Sequence, residues 1–403
     1  MREMISIKNI SLRDTLCSGI FVCLTAYLIL ASPIIAASNS DEIKQEHERE
    51  WIMTSAAPGR SFAIRYDGSL WGWGNNLIGL PEDDVTTSHR TPVQVMNDVA
   101  AVSAGRNHTM AIRTDGSLWV WGLNDSGQLG DGTTISHLTP IQIMEDVIAI
   151  SSGFSHSMAV KSDGSLWAWG LNDSGQLGDG TTIDRHSPVK IMENTVFVSA
   201  GTGHSAAITK DGTLWTWGEN HSGQLGDGST TQRKNPIEIM SNVTAVSLGS
   251  GHTMAIQVDG GLWAWGGLEI RWQGAILSSI MGDADRRYPV RVMEDVASVS
   301  TGHSHIMVIK TDGSLWAWGL NNNGQLGTGT NRNHLVPTRI LDDMSYVSVG
   351  GDLMGQVLQA HTLAIMSDGS LWAWGSNVYR QIGDGSTTFF HRSPVQIINI
   401  CND

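Results

Sequence analysis

Cysteine and positive charge are both scarce in this chain. Only three Cys occur in 403 residues, which excludes a disulfide-stabilised scaffold. Lys and Arg number 25 against 39 Asp and Glu, a formal net charge of −14. A protein that binds phosphate backbones usually carries a basic surface, so this deficit argues against nucleic acid as a partner. Disorder is excluded because 40% of the residues are hydrophobic.

Recognisable catalytic and ligand-binding motifs are also missing. The sequence contains no Gly-x-Ser-x-Gly, no phosphate-binding loop and no His-Glu-x-x-His. Its repeated Asp-Gly pairs lack the spaced ligands and the closing Glu of a calcium loop, and turn geometry explains them better. We therefore expect no catalytic residue, no metal site and no cofactor.

Residues 1–37 have the pattern of an export signal. Three basic residues lie within the first 13, no charge occurs over residues 15–40, and a Pro and small residues end the apolar run. We expect cleavage after Ala37 and a secreted or otherwise extracytoplasmic protein. The alternative is a membrane anchor formed by residues 16–37, because this length can span a bilayer of about 30 Å.

Tryptophan is unusually abundant, and its placement reveals a repeat. There are 16 Trp but only 11 Tyr and Phe, and 14 of the Trp form pairs after an Asp-Gly. The intervals between these Asp-Gly sites are 48 residues four times, then 53 and 56. Regular self-similarity at this period indicates a solenoid or a propeller. The seven repeats are centred on Asp67, Asp115, Asp163, Asp211, Asp259, Asp312 and Asp368.

Each repeat is predicted to form four short strands. In the second repeat these are residues 99–103, 108–112, 117–122 and 140–143, with a Gly/Asn/Asp-rich loop between the last two. The fourth strand is expected to begin at Pro140, where the missing N–H does least harm. A polar, acidic leader over residues 38–50 precedes the repeats.

Closure into a ring is predicted from the apolar pattern and from the two ends. The strands are apolar on both faces, so radially arranged sheets that cover one another are favoured over an open stack. Residues 51–57 match a first strand, and residues 394–397 match a fourth strand. We expect an all-β, seven-bladed propeller over residues 51–400, closed by the N- and C-terminal strands, and a monomer.

The repeat resembles that of the regulator of chromosome condensation family. The resemblance rests on Gly-x-x-His-[Thr/Ser]-x-Ala-[Ile/Val], Asp-Gly-x-Leu-Trp-x-Trp-Gly and Asn-x-x-Gly-Gln-Leu-Gly, and covers about 350 residues. It implies a seven-bladed β-propeller. Family members include a nucleotide exchange factor on chromatin, a secreted bacterial inhibitor of β-lactamases (inhibitory protein II) that uses one propeller face, and a plant ultraviolet-B receptor. The receptor's Gly-Trp-Arg-His-Thr motif is absent here.

Six repeats carry His at one position, where the first repeat has Arg60. A metal site needs ligands that converge on one ion, whereas equivalent residues of a ring are spread around its axis. We therefore expect each His to make the same local hydrogen bond within its own part of the ring. The six positions are His108, His156, His204, His252, His305 and His361.

Candidate binding residues lie where repeats one, five and seven depart from the pattern. Insertions in repeat arrays fall on loops, and aromatic and Arg side chains there are typical of interface anchors. If the ring closes, repeats seven and one become neighbours and can share one patch. The candidates are Glu82, Asp83, Arg271, Trp272, Tyr379, Arg380, Phe389 and Phe390.

The sequence thus predicts an exported, non-catalytic propeller that binds a protein, for instance an extracellular or envelope enzyme, through one face. One alternative is a glycan-binding or enzymatic propeller using exposed Trp, although the paired Trp should be buried in the strands. A nucleotide exchange or chromatin role is a further alternative, opposed by the export signal and the negative charge.

Overall fold

The computed structural model describes residues 51–75, 88–267, 286–303, 305–351, 353–354 and 357–397. These residues form seven four-stranded antiparallel sheets and one two-stranded hairpin. Each sheet keeps its strands in chain order, so every sheet is one repeat. The prediction of an all-β, seven-bladed propeller is confirmed. Over these ranges, no helix is long and apolar enough to cross a membrane.

The blades are numbered from the N-terminus. Their four strands span Trp51–Ala57, Arg60–Arg65, Leu70–Gly74 and His89–Met96 in blade 1; Val99–Ala104, His108–Arg113, Leu118–Gly122 and His137–Met144 in blade 2; Val147–Ser152, His156–Lys161, Leu166–Gly170 and Arg185–Met192 in blade 3; and Thr195–Ala200, His204–Thr209, Leu214–Gly218 and Arg233–Met240 in blade 4.

The remaining strands span Val243–Leu248, His252–Gln257, Leu262–Gly266 and Val290–Met293 in blade 5; Val296–Thr301, His305–Lys310, Leu315–Gly319 and His334–Leu341 in blade 6; and Met344–Gly350, His361–Met366, Leu371–Ser376 and Phe390–Gln396 in blade 7. The additional hairpin of blade 7 joins Leu353–Met354 to Val357–Leu358.

The first strands surround the central axis and are joined by a ring of serine hydrogen bonds. In every blade, a Ser Oγ of the first strand accepts a backbone N–H from the first strand of the next blade. The seven Ser-to-N contacts, all 2.9–3.2 Å, are Ser55–Ala104, Ser103–Ser152, Ser151–Ala200, Ser199–Leu248, Ser247–Thr301, Ser300–Val349 and Ser348–Ala56. The ring includes the contact between blades 7 and 1, and so joins the two ends of the array.

Antiparallel strand order divides the connections between two faces. The turns between first and second strands and the long loops between third and fourth strands share one face, which we call the loop face. The Asp-Gly turns between second and third strands share the opposite face, which we call the turn face.

The two Trp of each pair have different environments. The second Trp of every pair is completely buried between neighbouring blades, whereas the first is only partly buried. Trp169, for example, packs against Leu118, Val120 and Leu129 of blade 2. The expectation that the paired Trp are buried therefore holds fully for the second position only. The first Trp of blades 1 and 2 lie beneath Arg65 and Arg113, at 4.3 and 5.2 Å from the ring centres.

The first and last described strands of the propeller meet as predicted. Trp51 and Ile397 belong to one hydrophobic cluster, and the Trp51 N–H donates to Gly369 O at 3.0 Å. Blades 1 and 7 are each complete, since the first strand of blade 1 and the last strand of blade 7 lie in separate, adjacent sheets. The terminal strands thus close the ring through packing between two whole blades.

The fourth strands begin earlier than predicted. In blade 2 the strand starts at His137, so that Pro140 lies in its middle. Each fourth strand is the outer edge of its sheet, where a Pro interrupts no ladder hydrogen bond and discourages pairing with another chain. The prediction of a start at Pro140 was wrong because a Pro is tolerated inside an edge strand.

Candidate functional site

The repeated His side chains connect neighbouring blades, as expected for a structural role. In five of the six, Nε2 lies 2.8–3.0 Å from a Ser or Thr hydroxyl of the next blade. That hydroxyl donates its own proton to a backbone carbonyl, so the His must donate from Nε2. All six are buried, and burial lowers their pKa values to about 3 or 4. They are therefore neutral at pH 7.

The carbonyl that receives the hydroxyl belongs to the Gln of the Gly-Gln-Leu-Gly loop. In the contact between blades 2 and 3, Gln128 O accepts from Ser157 Oγ at 2.8 Å and from Trp169 Nε1 at 2.9 Å. We call this arrangement the glutamine staple. The same pair of bonds recurs at Gln176, Gln224, Gln325 and Gln381.

Within the described ranges, two of the seven blade contacts lack the staple. Between blades 1 and 2, Thr109 Oγ1 and Trp121 Nε1 have no hydrogen-bond partner among the described residues. Between blades 5 and 6, Ile306 replaces the hydroxyl residue, and Trp318 Nε1 and both ring nitrogens of His252 lack partners. These contacts follow repeats one and five, whose loops depart from the pattern, and those loops lie outside the described residues.

The Asp-Gly turns have a local structural role on the turn face. The Asp115 carboxylate accepts from the backbone N–H of Ser117 at 2.9 Å and from its hydroxyl at 2.6 Å, and Ser117 Oγ accepts from Trp119 Nε1. These hydrogen bonds lower the pKa of Asp115, so the turn remains charged in mild acid. No group of three or more His, Cys, Asp or Glu in the described part of the chain could hold a metal ion.

The mouth of the central channel on the loop face has both a repeated and a varied part. Glycines approach so closely there that a methyl group on Gly201 would lie 2.8 Å from Gly249 O. The residue that follows this position differs in every blade. The mouth is a cavity of about 120 Å³. The seven residues that vary between blades are Pro58, Arg106, Phe154, Thr202, Ser250, His303 and Gly351. The Arg106 guanidinium lies 4.1 Å above the Phe154 ring.

Tyr379 packs against blade 1, and Arg380 follows it in the same loop of blade 7. A Cβ on Gly59 would lie 3.2 Å from Tyr379 Cδ2, which places the ring against the first turn of blade 1. Arg380 has a φ of 69° where the other regular loops have Gly. A non-glycine residue costs about 1 kcal/mol or more in this region, and such strain is a reason to look for function. The next residue, Gln381, forms a glutamine staple, so this loop is held firmly.

Two further candidates lie at the outer edge of the same loop. Phe389 is 66% exposed and Phe390 39% exposed, and the Arg392 guanidinium lies 5.1 Å from the Phe390 ring. The structure thus places Tyr379, Arg380 and Phe389 in one loop, and Phe390 at the start of the strand that follows it, all on the loop face. The other four candidates, Glu82, Asp83, Arg271 and Trp272, lie outside the described residues.

Sequence reasoning did not single out Arg106 and Phe154 as candidates. A signal was present in the sequence. The residue that follows the Gly at the channel mouth varies from repeat to repeat, whereas that Gly and the His shortly after it recur in most repeats. The glutamine staple left no comparable side-chain signal, because its acceptor is a backbone carbonyl.

A family model decides the relationship to known proteins. The model of the RCC1-like domain matches residues 33–270 and again residues 193–403. The chain belongs to this family. Mouse RCC2 is 36% identical over 109 residues, which are 27% of this chain and 20% of RCC2. The chain therefore spans about a fifth of the length of that relative.

Solved RCC1-like structures share the fold. Human WBSCR16 superposes with a TM-score of 0.70 at 21% identity and covers 82% of this chain and 94% of its own. Yeast RCC1, crystallised with Kap60, superposes with a TM-score of 0.68 at 19% identity and covers 92% and 90%. These low identities show a common architecture only, so they do not assign a function to this chain.

Proposed function

We propose that this RCC1-like propeller is exported and acts without catalysis, by binding a protein partner through its loop face. The observation that carries the proposal is the placement of Tyr379. Its ring bridges blades 7 and 1, and the loop that bears it is held by the Gln381 staple. A pre-ordered aromatic side chain loses little entropy on binding, and aromatic and Arg residues dominate interface energetics.

Within each repeat, the residues that recur and the residues that vary have different roles, and this difference supports the proposal. The recurring His, the second Trp of each pair and the staple Gln residues make contacts between blades and are buried. Recognition is therefore left to positions that differ between blades. Two such sets share the loop face: the residues around the channel mouth, and the Tyr379–Arg380 and Phe389–Phe390 pairs.

Protein binding has precedent within the family. Yeast RCC1 has been crystallised bound to Kap60, and yeast Prp20p has binding properties toward Gsp1p and histones. The proposed extracytoplasmic location rests on the export pattern of residues 1–37, and it favours an extracellular or envelope protein as the partner of this chain. The net charge of −14 also disfavours a chromatin role.

A glycan-binding role receives less support from the Trp residues. Flat sugar recognition needs an open indole face, and the second Trp of each pair is completely buried. The first Trp of blades 1 and 2 face the guanidinium groups of Arg65 and Arg113.

Capture of a partner, followed by measured affinities, tests the proposal. The purified protein would be used as bait against extracellular and envelope fractions of the source organism. The captured protein would then be titrated against a loop-face variant carrying Tyr379→Ala, Phe389→Ala and Phe390→Ala. Because each anchor typically contributes about 1–2 kcal/mol, we expect at least a tenfold loss of affinity.

A matched variant on the turn face serves as the control. Tyr66 and Val258 are 47% and 64% exposed there, so Tyr66→Ala with Val258→Ala removes exposed aromatic and aliphatic surface from the opposite face. This variant should bind within about twofold of the parent. Loss of affinity in the turn-face variant, with full affinity in the loop-face variant, would refute the assignment of the face. N-terminal sequencing of the exported protein tests the predicted cleavage after Ala37.

A further inference from the structure

The loop of blade 7 departs from the other loops at the residue that packs against the next blade. In the loops of blades 2, 3 and 6 this residue is Gly127, Gly175 or Gly324, and a Cβ there would lie 2.5–2.9 Å from an atom of the next blade's fourth strand. Blade 7 has Arg380 instead, with a φ of 69° in the region that favours glycine. Its backbone is therefore strained, and a guanidinium is added to the contact between blades 7 and 1.

The register of the loops places Arg90 of blade 1 beside this residue. In the contact between blades 2 and 3, Gly127 packs against His186, and the Gly132 N–H donates to the carbonyl of the same His186 at 2.8 Å. In the contact between blades 7 and 1, the equivalent Gly385 N–H donates to Arg90 O at 2.9 Å. Two arginines thus meet where the regular contact has Gly and His.

Among the described residues, no carboxylate forms an ion pair with either arginine. Arg380 Nη1 is buried and has no hydrogen-bond partner in this part of the chain. Asp384 is the one acidic residue within residues 376–396, and its two oxygens accept from His391 Nε2 and from the Ser386 N–H, each at 3.1 Å. Because like charges repel, two neighbouring arginines cost stability unless an anion lies against them.

Positive charge extends over the loop face of blades 6, 7 and 1. Residues 320–338, 376–396 and 88–96 together contain four Arg and one Asp. The loops of blades 2 and 3, residues 123–139 and 171–187, contain one Arg and five Asp. The region is thus a local exception in a chain of net charge −14. The four arginines, which we call the arginine patch, are Arg90, Arg332, Arg380 and Arg392.

Aromatic side chains lie within the same region. The Arg392 guanidinium is 5.1 Å from the Phe390 ring, Phe389 is exposed, and Tyr379 precedes Arg380. An arginine held against a ring keeps its N–H donors available, and a guanidinium can bind a carboxylate through two parallel hydrogen bonds. Donors for carboxylates and aromatic anchors therefore share one surface.

We propose that the arginine patch binds an acidic segment on the surface of the protein partner, with Arg380 and Arg392 donating to its carboxylates. This inference rests on the proposed function, protein binding through the loop face. A nucleic acid strand would offer phosphates to the same arginines, but a long polyanion would also meet the rest of a molecule of net charge −14. A short run of Asp and Glu on a folded protein can contact the patch alone.

Fluorescence anisotropy of labelled decaglutamate, decalysine and decathymidylate tests this preference. The patch variant carries Arg380→Gly and Arg392→Gln. The control variant carries Lys210→Gln and Arg339→Gln, two exposed cations toward the turn face, so both variants lose the same charge. Arg380→Gly restores the residue of the regular loops and relieves a strained φ, so this single change should melt no lower than the parent.

We expect the parent to bind decaglutamate with an affinity that falls as the salt concentration rises. The patch variant should bind at least about tenfold more weakly, and the control variant within about twofold of the parent. The inference is overturned if the patch variant binds decaglutamate as well as the parent does, if the parent binds decalysine or no probe, or if decathymidylate binds more tightly than decaglutamate.

Affinities for a captured partner separate this inference from the proposed function. If the variant carrying Tyr379→Ala, Phe389→Ala and Phe390→Ala loses affinity but the patch variant does not, binding through the loop face stands and acidic recognition fails. Loss of affinity in both variants supports both proposals. Decaglutamate binding without any captured partner supports the charge preference of the patch and counts against the proposed function.

Discussion

Acidification should unfold this propeller through its six buried His residues. Their folded pKa values of about 3 or 4 lie well below the ordinary value of 6.5. The unfolded chain therefore binds more protons than the folded one below pH 6.5. The resulting stability is complete above that pH and is lost progressively as the pH falls toward 4.

The magnitude follows from the two pKa values. At pH 5, a His with a folded pKa near 3.5 and an unfolded pKa of 6.5 costs the fold about 2 kcal/mol relative to pH 8. Six such residues cost about 12 kcal/mol, which is comparable to the total stability of about 5–15 kcal/mol typical of folded domains. We therefore expect acid unfolding near pH 5, with about six protons taken up per molecule.

Urea unfolding followed by Trp fluorescence, repeated between pH 4.5 and 8, measures this uptake from the pH dependence of the unfolding free energy. The variant His204→Gln removes one titrating group and should lower the uptake by about one proton. Ser187→Ala is the control, because this exposed residue carries no ionisable group and should leave the uptake unchanged. An uptake below about two protons between pH 4.5 and 6 would show that the His residues are not the buried neutral groups described here.

Three further outcomes concern the contacts between blades. Ser199→Ala leaves the Leu248 N–H unpaired and should cost about 1–3 kcal/mol of unfolding free energy, whereas the exposed Ser187→Ala should cost nothing measurable in the same urea titration. Trp217→Phe should destabilise more than Trp318→Phe, by about 1 kcal/mol, because Trp217 Nε1 has an acceptor and Trp318 Nε1 has none among the described residues; equal losses would show that the staple adds no stability. Deleting residues 51–57 removes the first strand of blade 1 and one serine link, and an unchanged melting temperature would contradict closure through that strand.

The propeller itself could be predicted because its repeat carries redundant signals. Each blade has an Asp-Gly turn and a Trp pair, and most have the same Gly-rich loop. A strand assigned wrongly in one repeat is therefore corrected by comparison with the others. The structural role of the His residues also followed, because a ring keeps equivalent residues apart. The terminal segments were assigned to the correct strands since residues 51–57 and 394–397 share the pattern of complete repeats.

The contacts between blades were harder to foresee. The ring serine is the same residue in all seven repeats, so its recurrence at Ser55 and Ser348 was available as a signal. Its partner, however, is a backbone N–H, and the staple acceptor is a backbone carbonyl. Neither group has a residue-specific pattern. Arg60 was visible as a departure, but the sequence did not show that it is buried and donates to the carbonyl oxygens of Gly105 and His108. The candidate recognition residues depend on a partner whose surface the sequence does not encode.

The closed ring of serine links has a consequence for the way the molecule comes apart. In an open stack of repeats, the terminal units have one neighbour and can fray independently. Here every blade has two neighbours, so no unit can leave without breaking two contacts. Opening therefore requires a large concerted rupture, and the barrier to unfolding should be high compared with the equilibrium stability. For a protein exported as proposed, such slow unfolding would set its working lifetime.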